Sequence, residues 1–152
     1  MKQPEDRPVE IMLVEDNPHD AELAQRAFLK NNLTNRVVHV SDGQEALDYV
    51  FGEGKYAGQP RSCQPRVIIL DLKLPKVDGL EVLRALKGNE KTRMIPVVVL
   101  TSSQGEADMI ESYKLGVNSY IIKPVDFDKF VDAVRELGMY WLLLNQAPSI
   151  NC

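Results

Sequence analysis

Short apolar runs alternate along the chain with segments of helical periodicity. The runs occupy residues 10–14, 36–40, 67–70, 97–100 and 119–122. They are continuous rather than alternating, which is typical of strands covered on both faces of a sheet. Strict alternation of strands and helices predicts parallel strands with right-handed crossovers. We therefore predict an α/β fold, a flavodoxin-like doubly wound (βα)5 sheet with five parallel strands in the order 2-1-3-4-5.

Residues suited to helix caps precede the helical segments. Asn17 with Pro18 is the expected pairing at a helix N-terminus. Ser103 and Glu106 have the spacing of a capping box and predict the start of the fourth helix. The other predicted starts are Ser41 or Asp42 for the second helix, the turn pair Asp78-Gly79 for the third and Asp126 for an extended last helix.

Length and composition indicate one globular domain. We place it at residues 8–147 of the 152, with flexible termini at 1–7 and 148–152. The formal net charge of −4 argues against a nucleic-acid partner. No apolar run approaches the roughly 20 residues of a membrane span. Cys63 and Cys152 have no metal-ligand spacing and are interpreted as reduced thiols of a cytoplasmic protein.

Polar residues gather where the predicted strands end. Strand one is followed by Glu15 and Asp16, strand three by Asp71; strand four ends at Thr101 and strand five approaches Lys123. Carboxyl ends of parallel strands share one sheet edge, the ligand-binding edge of this topology. Three converging carboxylates repel one another, and a hard divalent ion such as Mg2+ would stabilise them. A carboxylate nucleophile, a metal, an ammonium and a hydroxyl together indicate phosphoryl transfer.

Four motifs carry a family resemblance. LVEDNP, ILDLKLPKVDG, VVVLTSS and YIIKP occur in this order, and the chain resembles the receiver domain of bacterial two-component response regulators over about residues 8–138. The resemblance implies that Asp71 accepts a phosphoryl group from a phosphohistidine of a sensor histidine kinase. It implies a self-catalysed switch rather than an enzyme. It also implies that Asp16, Asp71 and the backbone carbonyl of Lys73 bind Mg2+, with Glu15 acting mainly through water.

The same resemblance implies the roles of the remaining site residues. Lys123 would contact the phosphoryl group, and Pro124 resembles the family's cis proline. Thr101 and Tyr120 would form the switch pair, in which Thr101 moves toward the new charge and Tyr120 swings inward. Lys73 and Ser103 occupy positions that tune the phosphate lifetime in the family.

Three other functions are compatible with this class of fold. A flavodoxin-like electron carrier would place hydroxyl and glycine residues after strand one, where Glu15 and Asp16 would repel a flavin phosphate. A haloacid-dehalogenase-like phosphatase would need an aspartate where Lys73 stands. A phosphorylation-independent binding module on the same fold is the alternative, favoured only if metal or acceptor positions were damaged.

The last helix predicts a protein partner. Residues 139–144 are six consecutive apolar residues, and a helix end that is apolar all round indicates an interface. We expect a homodimer that uses Tyr140, Trp141 and Leu144, and output through protein contacts. The segments YWLLLNQAP and FGEGKYAGQP resemble the single-domain response regulators associated with phytochromes. That narrower resemblance implies a phytochrome-type histidine kinase as the phosphodonor.

Overall fold

The computed structural model describes residues 11–32, 37–58, 64–124 and 126–137. In this part of the chain, five parallel strands form one sheet in the order β2-β1-β3-β4-β5. This confirms the predicted fold class and strand order. The strands are β1 (Ile11–Val14), β2 (Val37–Val40), β3 (Val67–Leu70), β4 (Val97–Thr101) and β5 (Ser119–Ile122), and the helices are α1 (Pro18–Lys30), α2 (Gly43–Phe51), α3 (Gly79–Lys87), α4 (Glu106–Leu115) and α5 (Phe127–Leu137).

The sheet is buried on both faces because its central strands are apolar at every position that faces a core. All residues of β1, β3 and β4 are buried. Alternate side chains of β1 enter different cores: Ile11 and Leu13 pack with α1 and α5, whereas Met12 and Val14 pack with α2 and α3. The edge strands β2 and β5 are only partly buried. Two apolar layers thus hold β1 and β3 side by side, with their carboxyl ends at one edge.

Four helices begin at the residues that the sequence predicts, and α5 follows Asp126, whose side chain accepts from the Lys129 N–H at 3.1 Å. The Asn17 side chain accepts a hydrogen bond from the backbone of Asp20 at 3.0 Å. Asp42 caps α2 by accepting from Glu45, and Asp78 caps α3 by accepting from Leu80. Each cap satisfies a backbone N–H that has no partner within its helix. These caps fix the start of α1, α2 and α3 close to the carboxyl edge of the sheet.

The predicted capping box of α4 is wrong. The N-cap residue is Gly105, and no side chain of the described residues caps it. Ser103 instead donates its hydroxyl to Oδ2 of Asp108 at 2.6 Å. The loop after β4 runs two residues further than a capping box at Ser103 allows, so the serine contacts the first turn of α4 through a side chain.

The predicted dimer residues Tyr140, Trp141 and Leu144 lie outside the described residues, as does the extension of the last helix beyond Leu137. Within the described ranges, no helix combines the length and apolar character needed to cross a membrane.

Candidate functional site

Three carboxylates meet at the carboxyl edge of β1 and β3. In-register pairing of Val14 with Leu70 places the residues that follow these strands side by side. One carboxylate oxygen from each of Glu15, Asp16 and Asp71 lies within 4.8 Å of the other two. Glu15 and Asp71 are buried, whereas Asp16 is exposed. The structure therefore brings together the three acidic residues that the sequence predicts, with an opening toward solvent at Asp16.

Lys123 reaches into this cluster from the end of β5. Its Nζ donates to Glu15 at 2.6 Å, to Asp71 at 2.9 Å and to Asp20 of α1 at 2.9 Å. Its backbone N–H donates to the carbonyl of Thr101 at 2.8 Å, which fixes the loop after β5 against β4. The Lys123–Pro124 peptide bond is cis, as expected. One ammonium group thus compensates part of the charge of several carboxylates.

Asp71 is held as an anion. Burial raises the pKa of its carboxyl group, but hydrogen bonds from the Thr101 hydroxyl, from Lys123 and from the Lys73 backbone outweigh that effect and leave the pKa below its ordinary value. The Lys73 N–H donates to Oδ1 of Asp71 at 3.1 Å. A buried, ionised carboxylate beside an ammonium is chemically suited to act as a nucleophile.

The predicted switch residues form a connected chain of hydrogen bonds. Thr101 is fully buried at the end of β4, and its Oγ1 accepts from the Ser103 N–H at 3.3 Å. The Tyr120 hydroxyl donates to the Ser103 carbonyl at 3.1 Å. Ser103 therefore links Thr101 to Tyr120 through its backbone, and to Asp108 of α4 through its hydroxyl.

Comparison with known proteins decides the family. The model of the response regulator receiver domain matches residues 11–135, which is most of the chain. The chain belongs to the response regulator receiver domain family. It is therefore a receiver domain of two-component signal transduction, and a phosphorylation-independent module is not favoured because the acidic cluster and Lys123 are intact.

Two relatives resemble this receiver domain over nearly their whole length. The probable methanogenesis regulatory protein FilR2 of Methanothrix harundinacea (strain 6Ac) is 46% identical over 93% of this chain and 88% of its own. Response regulator Rcp1 of Synechocystis sp. (strain ATCC 27184 / PCC 6803 / Kazusa) is 38% identical over 89% of this chain and 90% of its own. The domain is thus shared with one protein named as a methanogenesis regulator and one named as a response regulator.

Solved structures share its fold. The phosphorylated cyanobacterial phytochrome response regulator RcpA has a TM-score of 0.79 and 41% identity, covering 93% of this chain and 99% of its own. The Mn2+-bound form of response regulator Rcp1 has a TM-score of 0.78 and 38% identity, and the match covers 93% of this chain and 99% of that chain. The bacteriophytochrome response regulator AtBRR has a TM-score of 0.73 and 52% identity, and the match covers 92% of this chain and 99% of that chain.

The cluster of the receiver domain fits a hard divalent cation. Burial raises the pKa of Glu15 from 4.5 to about 7; Asp71 adds to this, and the hydrogen bond from Lys123 only partly opposes it. Without a cation, burial and the neighbouring charge of Asp71 therefore favour the protonated form of Glu15 up to about pH 7. Oxygen-only donors with a solvent-facing side are the ligand set that Mg2+ and Mn2+ accept.

Glu15 makes the stability of the metal-free receiver domain depend on pH. Its folded pKa exceeds its unfolded value, so its contribution to the free energy of unfolding is complete below pH 4.5 and is lost as the pH rises through about 7. We expect stability in EDTA to fall between about pH 4.5 and about pH 7, with a slope below about 1.4 kcal/mol per pH unit, the limit for one proton, and to level off above this range. Urea unfolding in EDTA at several pH values measures this change in the free energy of unfolding.

Glu15→Gln is the matched control, since it keeps the shape and removes the titration. The native-minus-variant difference in unfolding free energy should decrease across this range in EDTA and flatten when Mg2+ is added. A difference independent of pH in EDTA would show that Glu15 is ionised throughout, contrary to the expectation.

Three residues around the site were not predicted. Asp20 accepts a hydrogen bond from Lys123, and the sequence shows it only as an acidic residue in the first turn of α1. His39 places Nε2 2.8 Å from the Glu15 carbonyl. A Cβ on Gly79 would lie 2.4 Å from the Asp71 carbonyl oxygen, so glycine allows α3 to pack against the acceptor loop. In the sequence, a glycine after Asp78 indicates only a helix start.

Proposed function

We propose that Asp71 accepts a phosphoryl group from a phosphohistidine of a sensor histidine kinase in a Mg2+-dependent reaction in the cytoplasm. The observation that carries this proposal is the contact between Lys123 and Asp71 at the carboxylate cluster. Asp71 is ionised, partly reachable from the solvent-exposed Asp16 side, and adjacent to a cation and a buried hydroxyl.

The proposed step leaves atoms and charge balanced. An Asp71 oxygen forms a bond to phosphorus as the bond from phosphorus to the donor's imidazole nitrogen breaks. The electron pair stays on the imidazole, which takes a proton from solvent. Asp16, Asp71 and the Lys73 carbonyl would hold Mg2+, with Glu15 acting through water. Mg2+, when bound, supplies neutralisation of charge on the phosphoryl oxygens.

The hydrogen-bonded chain at Ser103 supports a switch. The phosphoryl group carries about two negative charges on three acceptor oxygens and replaces the single negative charge of the Asp71 carboxylate. Lys123 and the Thr101 hydroxyl are the side-chain donors that already contact Asp71. If Thr101 turns toward those oxygens, its contact with Ser103 changes, and Ser103 also accepts from Tyr120. The new charge would thereby reach Tyr120 and α4, which is a two-state element biased by a local electrostatic change.

Intact mass spectrometry tests the acceptor function. The protein is incubated with acetyl phosphate in Mg2+ and in EDTA. We expect one phosphoryl group to be added in Mg2+ and none in EDTA. An adduct of equal yield in EDTA would contradict a metal-assisted reaction. If no adduct forms under either condition, and none forms with a phosphorylated histidine kinase, the acceptor function is refuted.

A phytochrome-type histidine kinase is the proposed donor. The support is the likeness to RcpA and AtBRR, which are described as phytochrome and bacteriophytochrome response regulators. Phosphotransfer from a purified, autophosphorylated phytochrome kinase tests this, with a nitrogen-sensing kinase of the same class as a control. We expect faster transfer from the phytochrome kinase; equal rates would contradict the assignment of the donor and leave the acceptor function intact.

A homodimer through residues 139–144 is also proposed, on the support of six consecutive apolar residues in the sequence. Trp141→Glu places a charge in that run and should yield monomers, measured by light scattering at several concentrations. Asn145→Glu adds the same charge beside the run and should leave the dimer intact. An unchanged mass for Trp141→Glu would rule out an interface centred on Trp141.

A further inference from the structure

Lys123 has all three of its side-chain donors engaged in this structure. A lysine ammonium carries three N–H groups, and these are directed to Glu15, Asp20 and Asp71 at 2.6–2.9 Å. For Lys123 to bind a phosphoryl oxygen on Asp71, as the proposed function requires, at least one of these hydrogen bonds must be given up. Which one is given up determines the cost of binding the phosphoryl group.

Asp20 differs from the other two partners in its exposure. The side chains of Glu15 and Asp71 are 2% and 5% exposed, whereas that of Asp20 is 29% exposed. An acceptor that water can reach loses less when its hydrogen bond breaks, because water replaces the donor. The bond from Lys123 to Asp20 is therefore the easiest of the three to exchange.

Asp20 also has no place in the carboxylate cluster. Among the described residues, the oxygens that come together are those of Glu15, Asp16 and Asp71. The position of Asp20 is nevertheless well defined. The Asn17 side chain caps α1 by accepting from the Asp20 N–H, and Pro18 fixes the first turn. The fold thus presents a fourth carboxylate to Lys123 from a helix end, apart from the proposed metal ligands.

We propose that Asp20 is a positioning residue that holds Lys123 in the unphosphorylated receiver domain and competes with the phosphoryl group for the lysine. This inference rests on the proposed phosphoacceptor function. Asp20 repels an incoming phosphoryl anion and occupies one of the donors that the anion needs. Loss of its charge should therefore favour binding of the phosphodonor, in contrast to loss of a residue that supports the reaction.

Asp20→Asn removes the negative charge of this side chain and keeps its shape, so it tests whether Asp20 competes with the phosphoryl group for Lys123. We expect the KM for acetyl phosphate to fall about three- to tenfold, as for removal of a partly exposed charged hydrogen bond, with the maximum rate changed less. The Mg2+ affinity should be unchanged or slightly weaker, since a negative charge is removed. A general structural change would weaken the binding of both ligands and would not lower the KM for the anion.

Glu22→Gln is the matched control. Glu22 lies on α1 as well, carries the same charge and pairs with Arg26 at 2.7 Å rather than with Lys123. We expect this variant to keep the native KM. An Asp20→Asn KM equal to or higher than the native one would overturn the proposal, and so would an equal fall in both variants.

The Lys123 contact can be tested without phosphorylation. The side-chain ammonium resonance of Lys123, observed by 1H–15N NMR in the metal-free protein, should shift in Asp20→Asn and stay unchanged in Glu22→Gln. No shift in Asp20→Asn would overturn the proposal even if the native protein is phosphorylated normally. A shift in a protein that accepts no phosphoryl group would instead show that the acceptor function has failed while the contact exists.

Discussion

Replacing Asp71 with asparagine is expected to abolish phosphorylation by both acetyl phosphate and a histidine kinase. The amide has no anionic oxygen to attack phosphorus. Asp71 has a lowered pKa and accepts hydrogen bonds from both Lys123 and the Thr101 hydroxyl, which suits it to act as the nucleophile. Intact mass spectrometry in Mg2+ measures the loss, which should be complete rather than partial.

The fold should survive this change. The asparagine side chain has nearly the same volume as the aspartate, and the crowding of negative charge around Glu15 decreases, so the free energy of unfolding should change by no more than about 1–2 kcal/mol. Asp78→Asn is the matched control: asparagine caps α3 as well as aspartate does, at an exposed position. It should be phosphorylated at the native rate. Normal labelling of Asp71→Asn would place the acceptor on another residue.

The clustering of carboxylates around Asp71 could be predicted from the sequence because it depends only on the topology of the sheet. Once five alternating βα units are recognised, the residues after β1 and β3 must lie next to each other at one edge. Glu15, Asp16 and Asp71 accordingly come together as predicted. The positions of Thr101 and Lys123 follow in the same way from the ends of β4 and β5.

Features that depend on the path of a loop could not be predicted. Ser103 and Glu106 have the spacing of a capping box, yet the loop after β4 places Gly105 at the N-cap and directs the Ser103 hydroxyl to Asp108. Local spacing does not say how far a loop extends before its helix begins. Asp20 was missed for a related reason: an acid in the first turn of a helix is explained by the helix dipole, so it gives no signal of a distant lysine.

Replacing Lys123 with methionine is expected to change two properties in opposite directions. Phosphorylation by acetyl phosphate should slow by about a hundredfold or more, because the cation that faces the developing charge on the phosphoryl oxygens is lost. Mg2+ should bind about tenfold more tightly, because an ammonium 2.6–2.9 Å from Glu15, Asp20 and Asp71 no longer competes with the metal. Initial rates by mass spectrometry and isothermal titration calorimetry measure the two effects.

Lys87→Met separates this effect from a general loss of stability. Lys87 is also partly buried and donates to the carbonyls of Arg93 and Ile95, away from the carboxylate cluster. Its replacement removes the same charge and two hydrogen bonds, so it should lower the free energy of unfolding while keeping the native Mg2+ affinity and phosphorylation rate. Weaker Mg2+ binding in Lys123→Met would contradict the picture, since it would mean that Lys123 supports the metal site rather than competing with it. Tighter binding together with slow phosphorylation would show that Lys123 acts on the phosphoryl group itself.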